Sequence, residues 1–161
     1  MANGEPPTGD EVLRFVVASV RERLPLNWGV AEALKPRGGV LRADVEVDIE
    51  APDGGFARLI VELKSVLERR DVSRVAEQVR SRTGSPTDVP LVAARYLASS
   101  VRDALADEGL SYIDATGNMR IALDRPALFI SSKGEDRDPW RKGRPRGTLK
   151  GEPAARLSRA L

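Results

Sequence analysis

The chain has 161 residues, of which 41% are hydrophobic and 31% are charged, which is typical of one globular domain with a buried core. It contains no cysteine and no histidine, which excludes disulfides, zinc ribbons, thiol nucleophiles and imidazole chemistry and leaves oxygen ligands to hold any metal. The net charge of +2 is uneven, because residues 133–161 carry nine basic and four acidic residues while the rest of the chain is net negative.

No stretch of the sequence indicates a membrane or secretory segment. No apolar run approaches the roughly 18 residues that a membrane-spanning helix needs. The N-terminus, with Glu5, Pro6 and Pro7, lacks the basic and apolar regions of a secretory signal. We therefore expect a cytoplasmic protein that has no membrane partner.

The first predicted elements are a lead-in and a helix. Residues 1–9 are expected to be flexible, and Thr8 with Glu11 fits a capping box in front of apolar residues at helical spacing. This pattern predicts a helix over about residues 10–24, ended by Pro25. Segment 26–39 contains Pro36 and a pair of glycines, which predicts irregular structure or one short strand.

An acidic hairpin follows, with alternating apolar and polar residues. Residues 41–50 alternate with period two, APDGG is a turn signal, and residues 57–64 resume the alternation. Each strand therefore has one buried face and one face that carries charged side chains. The second strand ends in VELKS, which contains Glu62 and Lys64.

Helices and strands alternate through the remaining chain. Asp71 is predicted to cap a helix, DVPLVAARYL is a buried strand, and a helix that begins at Ser99 or Ser100 ends at Gly109. LSYIDATGNMRIAL predicts strand, turn and strand, and ALFIS one more strand. We expect an α/β domain over residues 10–133 with a mixed sheet flanked by helices, followed by a basic arm over residues 134–161.

The register of the acidic hairpin decides which polar side chains meet. Facing residues share one side of the sheet, so the two positions of a pair sum to an even number here. A sum of 106 places Asp44 opposite Glu62 and Asp48 opposite Arg58, whereas 108 places Asp44 opposite Lys64. With either sum, Asp44, Glu62 and Lys64 cluster at the open end of the hairpin.

A divalent cation is one way to stabilise such a cluster, because two facing carboxylates repel by up to about 1 kcal/mol. Asp44 and Glu62, with the carbonyl of Leu63 and water, would supply the hard oxygen ligands that Mg²⁺ or Mn²⁺ accepts. Lys64 could orient or deprotonate an attacking water, or balance the charge on a phosphate.

The order of an N-terminal helix, a hairpin with an aspartate, the E-x-K of VELKS and a helix with a glutamine resembles the PD-(D/E)xK restriction-endonuclease-like superfamily over about residues 10–97. The resemblance implies that Asp44 is the motif aspartate, that Glu62 and Lys64 are the E-x-K pair, and that Gln78 is the helical glutamine. Glu11 is a weaker match to the acid of the first helix. The implied activity is a Mg²⁺-dependent DNA endonuclease in which Asp44 and Glu62 hold the metal and Gln78 orients Lys64 or the phosphate.

A second, narrower resemblance involves GLSYIDATGNMRI, ALFISSKG and DPWRKGRPRGTLKG. These segments are similar to actinobacterial proteins described as type IV antitoxin-like (AbiEi-like) transcriptional regulators, in which a nuclease-like domain precedes a winged helix-turn-helix. The resemblance implies DNA as a partner and raises two further candidates, a toxin or other protein partner and a homodimer.

The basic arm is a separate candidate for DNA binding. Its five basic residues between Pro139 and Gly151, with no acid among them, are Arg141, Lys142, Arg144, Arg146 and Lys150. KGRPRG resembles the AT-hook core, in which an extended Gly-Arg-Pro unit inserts arginine into a narrow minor groove. The alternative is a solubilising linker that makes nonspecific phosphate contacts.

Structural alternatives exist for the other candidates as well. The acidic hairpin could be a solvated strand face with cross-strand ion pairs, and Gln78 an ordinary surface residue. Asp114, Thr116 and Asn118 are expected to support a turn in which Gly117 and Asn118 suit positive φ, the rival being a loop that touches DNA or metal. The sequence predicts a nuclease-like DNA-binding domain, with an inactive transcriptional regulator or an antitoxin-like interaction domain as alternatives.

Overall fold

The computed structural model describes residues 4–33 and 45–141. In chain order its elements are α1 (Gly9–Arg23), β1 (Gly29–Ala33), β2 (Val45–Glu50), β3 (Phe56–Lys64), α2 (Val72–Arg80), β4 (Asp88–Ala94), α3 (Ser99–Asp107), β5 (Ser111–Asp114), β6 (Met119–Leu123) and β7 (Leu128–Ser132). A 3-10 turn at Arg69–Asp71 leads directly into α2.

All of these strands belong to one sheet, whose spatial order is β1-β2-β3-β4-β5-β6-β7. The β3–β4 and β4–β5 pairs are parallel, and the remaining pairs are antiparallel. A parallel pair needs a crossover connection, which α2 provides for the first pair and α3 for the second. The predicted α/β class with a mixed sheet is confirmed, and the architecture is consistent with a restriction-endonuclease-like fold.

The helices lie on both faces of the sheet and define two apolar cores. On one face, Leu59 of β3 packs in the same core as Val16 of α1. On the other face, Val92 of β4 packs with Val79 of α2 and Leu105 of α3. Burial of one such side chain contributes about 1.5–3 kcal/mol, so both cores hold the helices firmly against the sheet. Within the described ranges, no helix has the length and apolar character needed to cross a bilayer.

The start of α1 confirms the predicted capping box. The amide of Glu11 donates to Thr8 Oγ1 at 3.2 Å, and the amide of Thr8 donates to Glu11 Oε1 at 2.9 Å. Two main-chain donors at the helix start are thereby satisfied. The carboxyl of Glu11, the weaker match to a first-helix acid, is engaged in this box.

The start of α2 differs from the prediction. Asp71 makes no capping hydrogen bond, because its backbone is already helical (φ −93°, ψ −8°) at the end of the preceding 3-10 turn. A capping residue needs an extended backbone to turn its oxygen toward the helix start. Asp71 instead forms an ion pair with Arg74 at 3.5 Å, so the cap prediction was wrong while the helix was right.

The end of α3 and the β5–β6 turn test the predictions about residues with positive φ. Gly109 has φ +75°, and the amide of Leu110 donates to the carbonyl of Leu105 at 2.9 Å, which is a Schellman ending as predicted. Gly117 has φ +104°, as expected for the turn. Asn118 is not among the residues with positive φ in the described ranges, so that part of the prediction was wrong.

The capping box yields a stability prediction. Thr8→Ala should lower the free energy of unfolding by about 1 kcal/mol, because it removes the side-chain acceptor for the amide of Glu11. Thr8→Ser, which keeps the hydroxyl, should stay close to the wild type. Urea denaturation of the three proteins measures this, and equal stability of the alanine variant would contradict it.

The same box predicts a pH dependence. The hydrogen bonds from the Thr8 amide and hydroxyl hold the pKa of the Glu11 carboxyl below its ordinary value. A lowered carboxyl pKa contributes stability at neutral pH that is lost as the pH falls through it. The wild type should therefore exceed Glu11→Gln in stability at pH 7, and the two should converge as the solution is acidified.

Candidate functional site

The candidate site lies at the carboxyl ends of the two central parallel strands. Lys64, the last residue of β3, pairs with Ala94, the last residue of β4. Ligand clefts of open α/β sheets form at this edge. Residues alternate between the two faces of a strand, so Glu62 and Lys64 share the face that α2 covers.

Three predicted site residues meet there. Lys64 Nζ lies 3.2 Å from Glu62 Oε2 and donates to Gln78 Oε1 at 3.1 Å. Glu62 and Lys64 come from β3, while Gln78 comes from α2, 14 residues beyond the lysine. The structure therefore brings Glu62, Lys64 and Gln78, three of the predicted site residues, into contact with one another.

Arg82 completes this group and was not among the predicted site residues. It forms an ion pair with Glu62 Oε1 from just beyond the end of α2. Arg82 lies four residues after Gln78, but α2 ends at Arg80, so helical spacing does not place its side chain beside Glu62. We call Glu62, Lys64, Gln78 and Arg82 the β3–α2 cluster.

The electrostatics of the β3–α2 cluster depend on one nearly buried carboxylate. The Glu62 side chain is 8% exposed, and those of Lys64 and Arg82 are 21% and 20% exposed. Removing an unpaired carboxylate from water costs several kcal/mol, which the two cations offset. With one acid and two bases, these four side chains carry a net positive charge that suits an anionic ligand such as a phosphodiester.

The hairpin adopts the first of the two predicted registers. Val45 pairs with Val61, and Asp48 pairs with Arg58, both of which correspond to a sum of 106. Arg58 donates to the two oxygens of Asp48 at 2.6 and 3.0 Å, and these hydrogen bonds raise the pKa of Arg58 despite partial desolvation. Asp44 lies outside the described residues, so its predicted place opposite Glu62 stays a prediction.

A divalent metal ion at this site would have to bind through carboxylate oxygens. Across residues 4–33 and 45–141, no group of three acidic side chains is arranged to hold a metal ion. Glu62 is the carboxylate that the β3–α2 cluster offers to a cation, and both of its oxygens face basic side chains. Among the described residues the cluster thus contributes one carboxylate, Glu62, while Asp44, the second predicted metal ligand, lies outside them.

The β5–β6 turn has the structural role that its residues predict. The buried Asp114 accepts hydrogen bonds from the amides of Leu97, Thr116 and Asn118 at 2.9, 2.9 and 3.1 Å, and from the Thr116 hydroxyl at 2.7 Å. The Asn118 side-chain amide donates to the same carboxylate at 2.8 Å. These bonds fix the turn against the start of the segment that leads to α3.

Asn118 also holds the chain that follows β7. Its Oδ1 accepts from the amide of Gly134 at 2.8 Å, and its Nδ2 donates to the carbonyl of Glu135 at 3.1 Å. A side chain at position 134 would collide with the main chain of Thr116, so only glycine fits this close approach. The beginning of the predicted basic arm is therefore fixed to the domain as far as residue 135.

Beyond this attachment, the chain forms one wall of a cleft of about 580 Å³. The other wall consists of residues that follow β3 and β4. The main lining residues are Val66, Arg95, Tyr96, Arg137, Asp138 and Arg141, and we call this space the arginine cleft. Arg95 Nη2 lies 3.5 Å from Asp138 Oδ2 across it, and partial burial raises the pKa of Tyr96.

The predicted DNA-binding residues of the arm are only partly described. Arg141 is exposed and lines the arginine cleft. The predicted contacts at Lys142, Arg144, Arg146 and Lys150, together with the AT-hook-like segment, lie outside the described residues.

No protein-family model matches the chain, and no curated protein matches it. Among solved structures, the apo form of EndoMS is similar, with 18% sequence identity and a TM-score of 0.36 over 69% of this chain and 47% of that chain. The chain therefore spans about half the length of that protein, and at this level the similarity says nothing about activity.

The ion pairs of the β3–α2 cluster yield a stability prediction. Glu62→Gln should destabilise the protein by about 2 kcal/mol, less than for a fully buried pair, because Lys64 and Arg82 lose their anion but remain partly solvated. Adding Arg82→Gln should recover part of this loss. Denaturant unfolding of both variants measures it, and a double variant less stable than Glu62→Gln would contradict the pairing.

The Asp114 network yields a second stability prediction. Asp114→Ala should lower the free energy of unfolding by about 3 kcal/mol or more, because several buried donors lose their acceptor at once. Asp103→Ala, at an exposed aspartate on α3, is the matched control and should change stability by no more than about 0.5 kcal/mol. Equal effects of the two substitutions in urea unfolding would contradict the structural role of Asp114.

Proposed function

We propose that this chain is a nuclease-like DNA-binding domain and that the β3–α2 cluster is the core of a Mg²⁺-dependent phosphodiesterase site. The observation that carries the proposal is the convergence of Glu62, Lys64 and Gln78 from β3 and α2 at the carboxyl edge of parallel strands. The observed hairpin register supports it, because this is the register under which the sequence predicts Asp44 opposite Glu62.

Each side chain of the site would have its own role in the proposed reaction. Asp44 and Glu62 would hold Mg²⁺ or Mn²⁺, and the bound ion would supply Lewis-acid activation of the phosphate and of a water. Gln78 fixes the Lys64 ammonium through the 3.1 Å hydrogen bond, so that it would stabilise the charge developing on the phosphate or position the attacking water. Preorganisation of this kind costs no rearrangement during the reaction.

Arg82 would act on the substrate rather than on the metal. In the structure it neutralises Glu62 Oε1, one of the two oxygens through which Glu62 would bind the metal. A guanidinium binds phosphate oxygens well, so Arg82 would exchange the carboxylate for the phosphate of a bound phosphodiester.

A second candidate is a DNA-binding regulator without nuclease activity. It is favoured by the pairing of both Glu62 oxygens with cations, which is also how a purely structural ion-pair cluster would look. In that case the arginine cleft and the basic arm would bind DNA, and dimerisation or an antitoxin-like contact with a toxin would accompany regulation. A steep fall in DNA affinity with salt is expected for both DNA-binding candidates, and absence of DNA binding would leave the protein-interaction role.

Metal binding and nicking of supercoiled plasmid test the proposed activity. In titration calorimetry, the wild type should bind Mn²⁺ or Mg²⁺ and Asp44→Ala/Glu62→Ala should not, because both carboxylate ligands are removed. Nicking should require the metal and fall at least about 100-fold in that variant and in Lys64→Met, if lysine stabilises the transition state.

Glu22→Ala is the matched control for this experiment, since it removes an exposed acid of α1 on the opposite face of the sheet. It should bind metal and nick plasmid like the wild type. A wild type that binds no metal, or nicking that survives in the double variant, would contradict the phosphodiesterase site and favour the regulator.

A further inference from the structure

We propose that the arginine cleft binds a single strand of DNA and leads it to the β3–α2 cluster. This inference rests on the DNA-binding part of the proposed function but does not require metal binding or catalysis. It states that the ligand is single-stranded, which neither the E-x-K pair nor the basic arm specifies.

The cleft is built from parts that are fixed in place. One wall contains Val66, Arg95 and Tyr96, which follow directly on the carboxyl ends of β3 and β4. The opposite wall, residues 136–141, starts at the attachment of Gly134 to Asn118 and is tied across the cleft by the ion pair between Arg95 and Asp138. A preorganised cleft loses little conformational entropy on binding.

The charge of the lining favours a polyanion. Three arginines face two aspartates, and one arginine, Arg95, is already paired with Asp138. Arg137 and Arg141 are exposed, and both line the cleft. Their guanidinium groups can therefore reach the phosphate oxygens of a bound strand.

The apolar part of the lining distinguishes an unpaired strand from a duplex. Tyr96 and Val66 both line the cleft, and Val66 is 71% exposed. Base stacking on an aromatic ring requires an accessible base face, which a duplex hides inside its stack. A cleft of about 580 Å³ is the size of a small-molecule pocket and therefore suits a few unpaired nucleotides.

The position of the cleft connects it to the candidate catalytic group. Ser65 lines the cleft and follows directly after Lys64 of the β3–α2 cluster. Arg141, at the other wall, is the last described residue before the basic segment of the arm. A strand held in the cleft would thus lie beside the end of β3, next to the β3–α2 cluster, with its phosphates near the arginines of the lining.

Fluorescence anisotropy with labelled oligo(dT) and with a duplex, both without divalent metal, tests this inference on the full chain. Tyr96→Ala should weaken oligo(dT) binding roughly fivefold or more while leaving duplex binding nearly unchanged, because it removes a stacking surface. Phe129→Ala, which removes a 64% exposed aromatic residue of β7 outside the cleft lining, is the matched control and should bind like the wild type.

The arginines are tested through the salt dependence of the same binding. Arg137→Ala should reduce the slope of log K against log salt for oligo(dT) by about 0.7, the value for one lost phosphate contact on a single strand. Arg21→Ala removes an exposed arginine of α1 on the opposite face and should leave the slope unchanged.

The outcomes separate this inference from the proposed function. Duplex binding with no Tyr96-dependent binding of oligo(dT) would overturn the assignment of the cleft while leaving DNA binding intact. Loss of nicking with retained, Tyr96-dependent oligo(dT) binding in Asp44→Ala/Glu62→Ala would support both. Binding of oligo(U) more tightly than oligo(dT) would assign the cleft to RNA, and absence of all nucleic-acid binding would overturn both proposals.

Discussion

The parallel pairing of β3 with β4 is the constraint on which the rest of the molecule depends. It extends from Arg58 opposite Asp88 to Lys64 opposite Ala94 and forms the centre of the sheet. A parallel pair requires a crossover, and α2 is that crossover, which places Gln78 over the end of β3. The same pairing aligns the carboxyl ends of both strands, so that the β3–α2 cluster and the arginine cleft form at one edge.

Much of this arrangement is encoded in local sequence patterns. The alternation of residues 45–64 predicts the hairpin, and its parity limits the register to even sums. The choice between 106 and 108 depends on a pairwise energy that a pattern does not give. In the observed register Arg58 binds both oxygens of Asp48, whereas a sum of 108 would place Asp48 opposite Ile60 and leave this bidentate pair unformed.

The features that the sequence did not predict depend on contacts between distant segments. Arg82 lies beyond the end of α2, and its role follows from the way the chain returns to Glu62 rather than from helical periodicity. Asp71 has the right residue type for a cap, but the preceding 3-10 turn gives it the wrong backbone conformation. The arginine cleft takes its walls from three separate parts of the chain, including residues near 66, 96 and 138, and no local pattern indicates it.

The pairing of Glu62 links stability to the proposed chemistry. In the structure, Lys64 and Arg82 offset the cost of burying this carboxylate. In the proposed function, a metal ion would offset the same cost and Arg82 would bind an anionic ligand, so the same residues would support a stable fold without metal and the proposed site with it. The metal and Arg82 would then compete for Glu62, because a metal must displace an ion pair that is already formed. We therefore expect metal affinity to be higher when DNA is present, since the phosphate gives Arg82 a new partner.

The most direct test of the central claim is to locate a bound metal by paramagnetic broadening in NMR spectra. Substoichiometric Mn²⁺ should selectively broaden the amide resonances of Glu62, Leu63 and Lys64, and this pattern should disappear in Glu62→Gln. Broadening that is spread over exposed acids such as Asp124, or that persists unchanged in the variant, would contradict a metal site at the β3–α2 cluster.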